Sequence, residues 1–222
     1  MQISTRHGFA FLSSPKCAST AIENSISNHC NITFTGNPAL KHLDARVYSS
    51  SVLPLIKALV PQADLVSFSL VREPLEWIAS WYRYRTRPAL SEPVHPHHKN
   101  YTGHLSYDEF IEEYIKQDRR KPFANLLRQY DFVKSASGDV GVDLVLPVNR
   151  LDLIADFFSS KIGEKIKIPR RNISPKMNLT LDPDREQRLR EYLKKDLVLY
   201  KLANLKDGYI PRRDGACLDA LG

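Results

Sequence analysis

The chain has 222 residues, of which 42% are hydrophobic and 26% charged, and its net charge is +7 at pH 7. This composition suits one globular domain with a substantial core, and the charge suits an anionic partner such as a nucleic acid, a phosphorylated cofactor or an acidic polysaccharide. A disulfide framework and a structural zinc site are excluded, because the three cysteines are odd in number, widely spaced and without a Cys-x-x-Cys pair.

The sequence predicts a cytoplasmic protein. No apolar stretch approaches the roughly 20 residues that a membrane-spanning helix needs. The apolar patch near the N-terminus is too short for a secretion signal. The spacing of Cys17, Cys30 and Cys217 fits a reducing compartment.

The first half of the chain predicts two strand–loop–helix units. Residues 8–14 form a short apolar run typical of a buried strand, and a helix with a narrow apolar stripe begins near Ser19. A helix over 50–60 precedes the second apolar strand, 64–71. Pro74 then suits the first turn of the helix that follows.

The second half predicts a third strand and further helices. Residues 86–106 form a Pro- and His-rich stretch too long for a routine connection. The predicted strand is 142–147, and the predicted helices are 75–85, 106–117, 123–133, 151–163 and 182–203, the last as one long amphipathic helix.

Strands that alternate with helices predict an α/β fold with a central parallel sheet and helices on both faces. We expect a single domain, 1–222, in which residues 85–130 form a helical and loop insertion on the substrate side.

The loop after the first strand has the features of an anion site. Pro15, Lys16, Cys17 and Ala18 join the strand to Ser19-Thr20 at the predicted helix start, where free backbone N–H groups and the helix dipole favour phosphate. Lys16 adds a positive charge. The loop lacks the Gly-x4-Gly-Lys-[Ser/Thr] of a Walker A motif, so an ATP or GTP site fits poorly. The alternative is an ordinary turn with a surface lysine and a capping serine.

A second set of polar residues follows the second strand. Arg72 stands at the carboxyl end of that strand, the edge where open α/β sheets bind ligands, and Ser80 lies eight residues later on the next helix. A guanidinium offers a planar fork for phosphate. The alternative is that Arg72 pairs with Glu73 or Glu76 and that Ser80 is a small residue at a helix contact.

Together these segments resemble the sulfotransferases that use 3′-phosphoadenosine-5′-phosphosulfate (PAPS), and most closely their carbohydrate-type, bacterial-like group. The residues 15–20, PKCAST, resemble the family's 5′-phosphosulfate loop. Arg72, Pro74, Ser80 and Tyr82 resemble its Arg-x-Pro-x5-Ser-x-[Tyr/Phe] motif for the 3′-phosphate. Weaker similarities include Lys41 to Ala45 and Gln129, whereas Cys17, Ala18 and Asp44 depart from common family residues.

The resemblance implies a P-loop NTPase-like three-layer fold and transfer of a sulfuryl group from PAPS to an acceptor hydroxyl or amine, most often on a carbohydrate. It implies that Lys16 and the 15–20 loop bind the 5′-phosphate, and that Arg72 and Ser80 bind the 3′-phosphate. Arg171 and Ser174 are assigned to the same nucleotide site. The product would be 3′,5′-bisphosphoadenosine (PAP), no metal would be required, and the partners would be the nucleotide and a small-molecule or glycan acceptor.

The resemblance also suggests a general base. His42 occupies the family's Lys-His segment, and an imidazole suits proton transfer near neutral pH. An acidic residue of the first helix or of 101–113 is the alternative, with His104 and Asp108 as further candidates. His95, His97 and His98 form only a weak metal pattern, because no cysteine or carboxylate accompanies them.

Two other functions remain open. A P-loop kinase or nucleotide hydrolase would also place Lys16 after a strand, but the sequence lacks the Walker A glycines and a clear metal-binding aspartate. A non-catalytic polyanion binder would suit the net charge. Nucleic acid is the less expected partner, because aromatic residues do not alternate with the basic ones in a stacking pattern.

Overall fold

A five-stranded mixed β-sheet forms the centre of the molecule. The structure, a computed structural model, describes residues 1–169, 177 and 179–211. The strands within them are β1 (Gln2–Ser4), β2 (Phe9–Leu12), β3 (Ile32–Thr33), β4 (Val66–Val71) and β5 (Leu144–Pro147). Their order across the sheet is β3-β1-β2-β4-β5.

The middle of the sheet is parallel, as the sequence predicts for its three apolar strands. β4 pairs in parallel with β2 on one side and with β5 on the other, and Phe68 lies opposite both Phe11 and Leu144. The Phe11 and Phe68 rings stack with centroids 5.0 Å apart. All three strands therefore end at the same edge of the sheet, followed by the loops that carry Lys16 and Arg72.

The sheet is not parallel throughout. β1 runs antiparallel to β2 and to β3, and the sequence predicts neither β1 nor β3. Both are too short, and β1 is too polar, to show a hydrophobic period. Gly8 in the β1–β2 turn has φ +66°, and a Cβ there would lie 2.7 Å from the Asp64 carbonyl oxygen, so the turn requires glycine.

Helices cover both faces of the sheet. On one face Phe9, Phe11 and Phe68 belong to a buried cluster with residues of α1, α5, α6 and α8, and on the other face Ala10 and Leu12 pack with residues of the 45–59 segment, α7 and α10. The helices are α1 (Ser19–Ile26), α2 (Pro38–Lys41), α3 (Ala45–Val47), α4 (Leu53–Leu59), α5 (Pro74–Arg85), α6 (Tyr107–Tyr114), α7 (Gln129–Val133), α8 (Leu151–Ile162), α9 (Pro183–Tyr192) and α10 (Lys194–Ala203). A π-helical stretch, Tyr48–Val52, joins α3 to α4.

The helix predicted over 123–133 is correct only for its last five residues. Asp196, from α10, accepts a hydrogen bond from the Tyr130 backbone N–H at 3.1 Å, and this contact supplies a cap at the start of α7. A side chain distant in sequence therefore satisfies a backbone N–H group that a longer helix would have paired internally.

The single helix predicted over 182–203 is also wrong, because α9 and α10 are separated at Leu193 (φ −93°, ψ 14°). Leu189 and Leu193 are buried as the periodicity predicts. After the break the buried positions become Asp196, Leu199 and Ala203. No proline or glycine marks the break in the sequence.

The stretch 86–106 contains two short 3₁₀ turns, Pro88–Ser91 and His98–Asn100. None of the helices built by the described residues has the length and hydrophobicity to traverse a lipid bilayer.

Candidate functional site

The loop between β2 and α1 has a backbone suited to holding an anion. Pro15 to Ala18 form a turn in which Lys16 (φ 63°) and Ala18 (φ 54°) adopt left-handed conformations that are uncommon for residues with a side chain. Ala18, rather than Ser19, is the N-cap of α1, and no side chain caps this terminus. Among the described residues, the backbone N–H groups from Lys16 to Thr20 have no hydrogen-bond partner. Successive free N–H groups in such a turn favour an anion.

The Lys16 side chain lies against the aromatic face of α5. Its ammonium is 4.3 Å from the centroid of the Tyr84 ring and 5.6 Å from that of Trp81. Burial, together with the positive charges of Arg87 and Arg72, lowers the pKa of Lys16 to about 8. Lys16 therefore belongs to a cluster of cations that lacks enough negative charge, and an anion is the ligand that would relieve it.

Arg72 follows β4, and its backbone is held by Gln129. The Arg72 N–H donates to Gln129 Oε1 at 2.7 Å, and Gln129 Nε2 donates to the Arg72 carbonyl at 2.9 Å. The buried Cys17 thiol, 3.4 Å from the same Oε1, donates to it because burial raises the pKa of Cys17 to about 12. One buried amide thus connects the Lys16 loop to Arg72.

A second connection runs through α5. Trp77 Nε1 donates to the Pro15 carbonyl at 3.0 Å. Pro74 occupies the first turn of this helix, as predicted, and the Glu73 side chain caps it by accepting from the Glu76 N–H. The turn of the first loop therefore rests directly on the helix that follows Arg72.

The alternative of an ion pair for Arg72 is partly realised. Glu76 lies 3.5 Å from Arg72 and 3.0 Å from Arg83, so one carboxylate serves two guanidinium groups. Within the described chain, the buried Arg83 Nε and Trp81 Nε1 have no hydrogen-bond partner. Positive charge and unpaired donors therefore exceed the acceptors around Lys16.

Ser80 lies on α5, and its side chain is buried. The residue is 2% exposed. Arg171 and Ser174, which are also predicted to belong to the nucleotide site, lie outside the described residues.

His42 contacts Ser13, the first residue of the loop after β2. Its Nδ1 is 2.6 Å from the Ser13 carbonyl, and because a carbonyl only accepts, Nδ1 carries the proton and Nε2 keeps its lone pair. Burial lowers the pKa of His42, although the Ser13 bond opposes this effect. The imidazole is therefore neutral near pH 7 and able to accept a proton at Nε2.

Glu23, on α1, belongs to the same cluster as His42. It accepts a hydrogen bond from the Ser13 hydroxyl at 2.6 Å and pairs with Lys41 at 3.0 Å. The Lys41 ammonium is also 3.4 Å from the Thr20 hydroxyl. Glu23 is thus the acidic residue of the first helix that is positioned beside the loop.

The remaining base candidates point elsewhere. Asp108 forms an ion pair with Arg185 on α9 at 3.0 Å, and His104 is exposed. His98 contacts the Leu90 carbonyl. Among the residues that the structure describes, no group of three or more His, Cys, Asp or Glu side chains is arranged to hold a metal ion.

Four residues of the site were not identified from the sequence: Trp81, Arg83, Tyr84 and Arg87. They approach Lys16 only because the 15–18 turn folds onto α5. Their cationic and aromatic residue types were visible, but no spacing rule relates them to a loop more than 60 residues earlier.

Comparison of the chain with protein-family models, with curated proteins and with solved structures found no match.

Proposed function

We propose that the protein is a sulfotransferase that moves the sulfuryl group of PAPS to an acceptor hydroxyl or amine, with a carbohydrate as the expected acceptor. The observation that carries this proposal is the Gln129 bridge. It ties the Lys16 loop, through Cys17, to the backbone of Arg72. A nucleotide with phosphates at both ends of its ribose needs two such cationic sites in one rigid unit.

The surroundings of the two sites support a phosphate ligand. The turn offers unpaired N–H groups at an uncapped helix start, and Lys16 and Arg72 are close enough for the charge of one to lower the pKa of the other. The buried Trp81 Nε1 still lacks an acceptor within the described chain. Arg72 and Ser80 are proposed to bind the 3′-phosphate. The loop residues Pro15 to Thr20 are proposed to bind the 5′-phosphate.

A P-loop-like fold is part of the proposal. A loop between a central parallel strand and a helix, at the carboxyl edge of the sheet, supports it. The missing Walker A glycines argue against ATP or GTP as the ligand, because the two left-handed positions are filled by Lys16 and Ala18 instead. A cytoplasmic location is proposed on the basis of the free thiols of Cys17 and Cys30.

The chemistry assigned to these residues is in-line sulfuryl transfer. The acceptor oxygen forms a bond to sulfur while the bond from sulfur to the 5′-phosphate oxygen breaks, and the acceptor proton passes to His42 Nε2. Lys16 stabilises the negative charge that develops on the departing phosphate oxygen. Glu23 is the alternative base, because its carboxylate lies beside the same loop. No step of this proposal requires a metal ion.

A thermal-shift comparison of PAP, ADP, ATP and GTP tests the proposal. We expect PAP to raise the melting temperature most, because only PAP engages both cationic sites. A larger shift with ATP, dependent on Mg²⁺, would instead favour a kinase or nucleotide hydrolase. Steeply salt-dependent binding of any polyanion, with no preference for PAP, would favour a non-catalytic polyanion binder.

A further inference from the structure

A second cationic site lies on another part of the surface. A cavity of about 640 Å³ opens between the 117–134 segment and the end of α9, and its walls combine basic, amide and aromatic side chains. The residues that matter for its chemistry are Arg120, Asn125, Arg128, Asp131, Lys134 and Tyr192. We call it the Tyr192 cleft.

The two arginines of the Tyr192 cleft are held rigidly. Each guanidinium carbon lies 5.2 Å from the centroid of the Tyr192 ring. Arg120 Nε donates to the Lys116 carbonyl at 2.6 Å, and Arg120 Nη2 donates to the Tyr192 hydroxyl. Arg128 Nη1 donates to the Tyr192 carbonyl at 3.2 Å. Most of the five N–H donors of each guanidinium remain for a ligand, and pre-organised forks of this kind suit oxyanions.

Charge in the Tyr192 cleft is not balanced by the protein. Asp131 is the only acidic residue among those that line it, and it already pairs with Arg128 at 2.7 Å and with Lys134 at 2.6 Å. Arg120 has no carboxylate partner among the described residues. The lining therefore keeps a positive charge that a ligand with more than one oxyanion group would neutralise.

Unpaired polar atoms lie behind the same wall. The Tyr114 ring packs edge-on against Tyr192 with centroids 5.3 Å apart, and its buried hydroxyl has no partner within the described chain. Asp196 Oδ2 is also buried without a partner there, and the Asp196 charge acts on Arg128. The negative charge of Asp196 offsets part of the positive charge of Arg128, so Arg120 carries most of the unbalanced charge of the cleft.

We propose that the Tyr192 cleft binds an acidic oligosaccharide through its sulfate or carboxylate groups. The arginines bind the oxyanions, and exposed amides such as Asn125 suit the sugar hydroxyls. The cleft and the candidate site are connected along the chain, because Arg128 directly precedes Gln129, the residue that holds Arg72. The suggestion that the bound sugar is the sulfuryl acceptor rests on the proposed function, whereas binding itself does not.

Calorimetric titration with a heparin-derived tetrasaccharide, in the absence of nucleotide and at physiological salt, tests this inference. We expect the wild-type protein to bind the tetrasaccharide and not to bind neutral maltotetraose. Arg120→Gln and Arg128→Gln should each weaken binding about tenfold, the loss expected for a charge-assisted hydrogen bond. Arg6→Gln removes the same charge from the exposed β1–β2 turn, and it should change the affinity less than twofold.

An equal loss of affinity in Arg6→Gln and Arg120→Gln would overturn the inference, because the sugar would then sense only net charge. The same conclusion follows if octathymidylate binds as tightly as the tetrasaccharide and loses the same affinity in Arg120→Gln. Arg128 also holds Asp131, so Arg120→Gln serves as the second variant, with its melting temperature and PAP affinity as measures of folding. If the protein binds PAP but not the tetrasaccharide, the inference about the Tyr192 cleft is wrong and the proposed function is unaffected. If it binds the tetrasaccharide but not PAP, the proposed function is wrong and the inference about the cleft is unaffected.

Discussion

Gln129 and Arg72 are joined by two hydrogen bonds between one side-chain amide and both backbone polar groups of one residue, at 2.7 and 2.9 Å. Gln129 is 2% exposed, so its partners have little access to water if the amide is removed. This relationship makes Gln129 a positioning residue for the candidate site. Gln129 contacts the Arg72 backbone and the Cys17 thiol, and no contact with the ligand is assigned to it.

Replacing Gln129 by leucine should lower both stability and nucleotide affinity. The Arg72 N–H and carbonyl would lose their partner, which costs roughly 1–3 kcal/mol for a buried polar group. Denaturant unfolding measures the first effect and PAP titration the second. Gln62→Leu, at an exposed position, is the matched control. Wild-type PAP affinity in a destabilised Gln129→Leu protein would show that the bridge is only structural.

Nucleotide affinity should depend on the charge of Lys16. With a pKa lowered to about 8, the ammonium is charged at pH 7 and largely neutral at pH 9. Anion binding favours the charged form, so PAP affinity should fall about tenfold between these pH values. Lys16→Arg keeps its charge across this range, so its affinity should remain nearly constant, whatever its absolute value. Parallel pH profiles for the two proteins would contradict the assignment of Lys16.

Glu76 should compete with the nucleotide for Arg72. It pairs with both Arg72 and Arg83, and its side chain is 58% exposed. Exposed pairs of this kind are worth roughly 0.2–1 kcal/mol, so Glu76→Gln should strengthen PAP binding by up to about fivefold. Glu191→Gln, on the surface of α9, removes the same charge elsewhere and should have little effect. A loss of PAP affinity in Glu76→Gln would contradict this competition, because Glu76 would then support nucleotide binding.

Much of this arrangement could be predicted from the sequence, because β2, β4 and β5 are buried on both faces and appear as short, predominantly apolar runs. The residues that directly follow β2 and β4 could therefore be placed at one edge of the sheet. β1 could not be predicted, because its stability comes from pairing with β2 and β3.

Contacts between distant residues account for the remaining differences. The break at Leu193 brings Asp196 to the Tyr130 N–H, and local periodicity does not encode that contact. In the candidate site, the packing of Lys16 on Tyr84 and Trp81 likewise depends on how the 15–18 turn meets α5. The residue types of Lys16 and Arg72 indicated the two ends of the site, whereas tertiary packing determines which residues lie between them.

His42→Gln should slow sulfuryl transfer while leaving PAP affinity intact, because His42 is assigned to the acceptor proton. A general base must be unprotonated, and burial lowers the pKa of His42 from its usual value of 6.5. The acid limb of the wild-type kcat/KM profile should therefore lie below pH 6.5. The exposed His104→Gln is the matched control. An unchanged kcat in His42→Gln would assign the base to Glu23.

Two cationic sites are proposed to bind the two phosphate groups of one nucleotide. Titration of PAP and of adenosine 5′-monophosphate into the wild-type, Lys16→Ala and Arg72→Ala proteins separates the two sites. We predict that Lys16→Ala weakens both ligands, whereas Arg72→Ala weakens PAP alone and brings its affinity down to that of the monophosphate. Equal losses for the two ligands in Arg72→Ala, or a wild-type protein that does not distinguish them, would contradict the account.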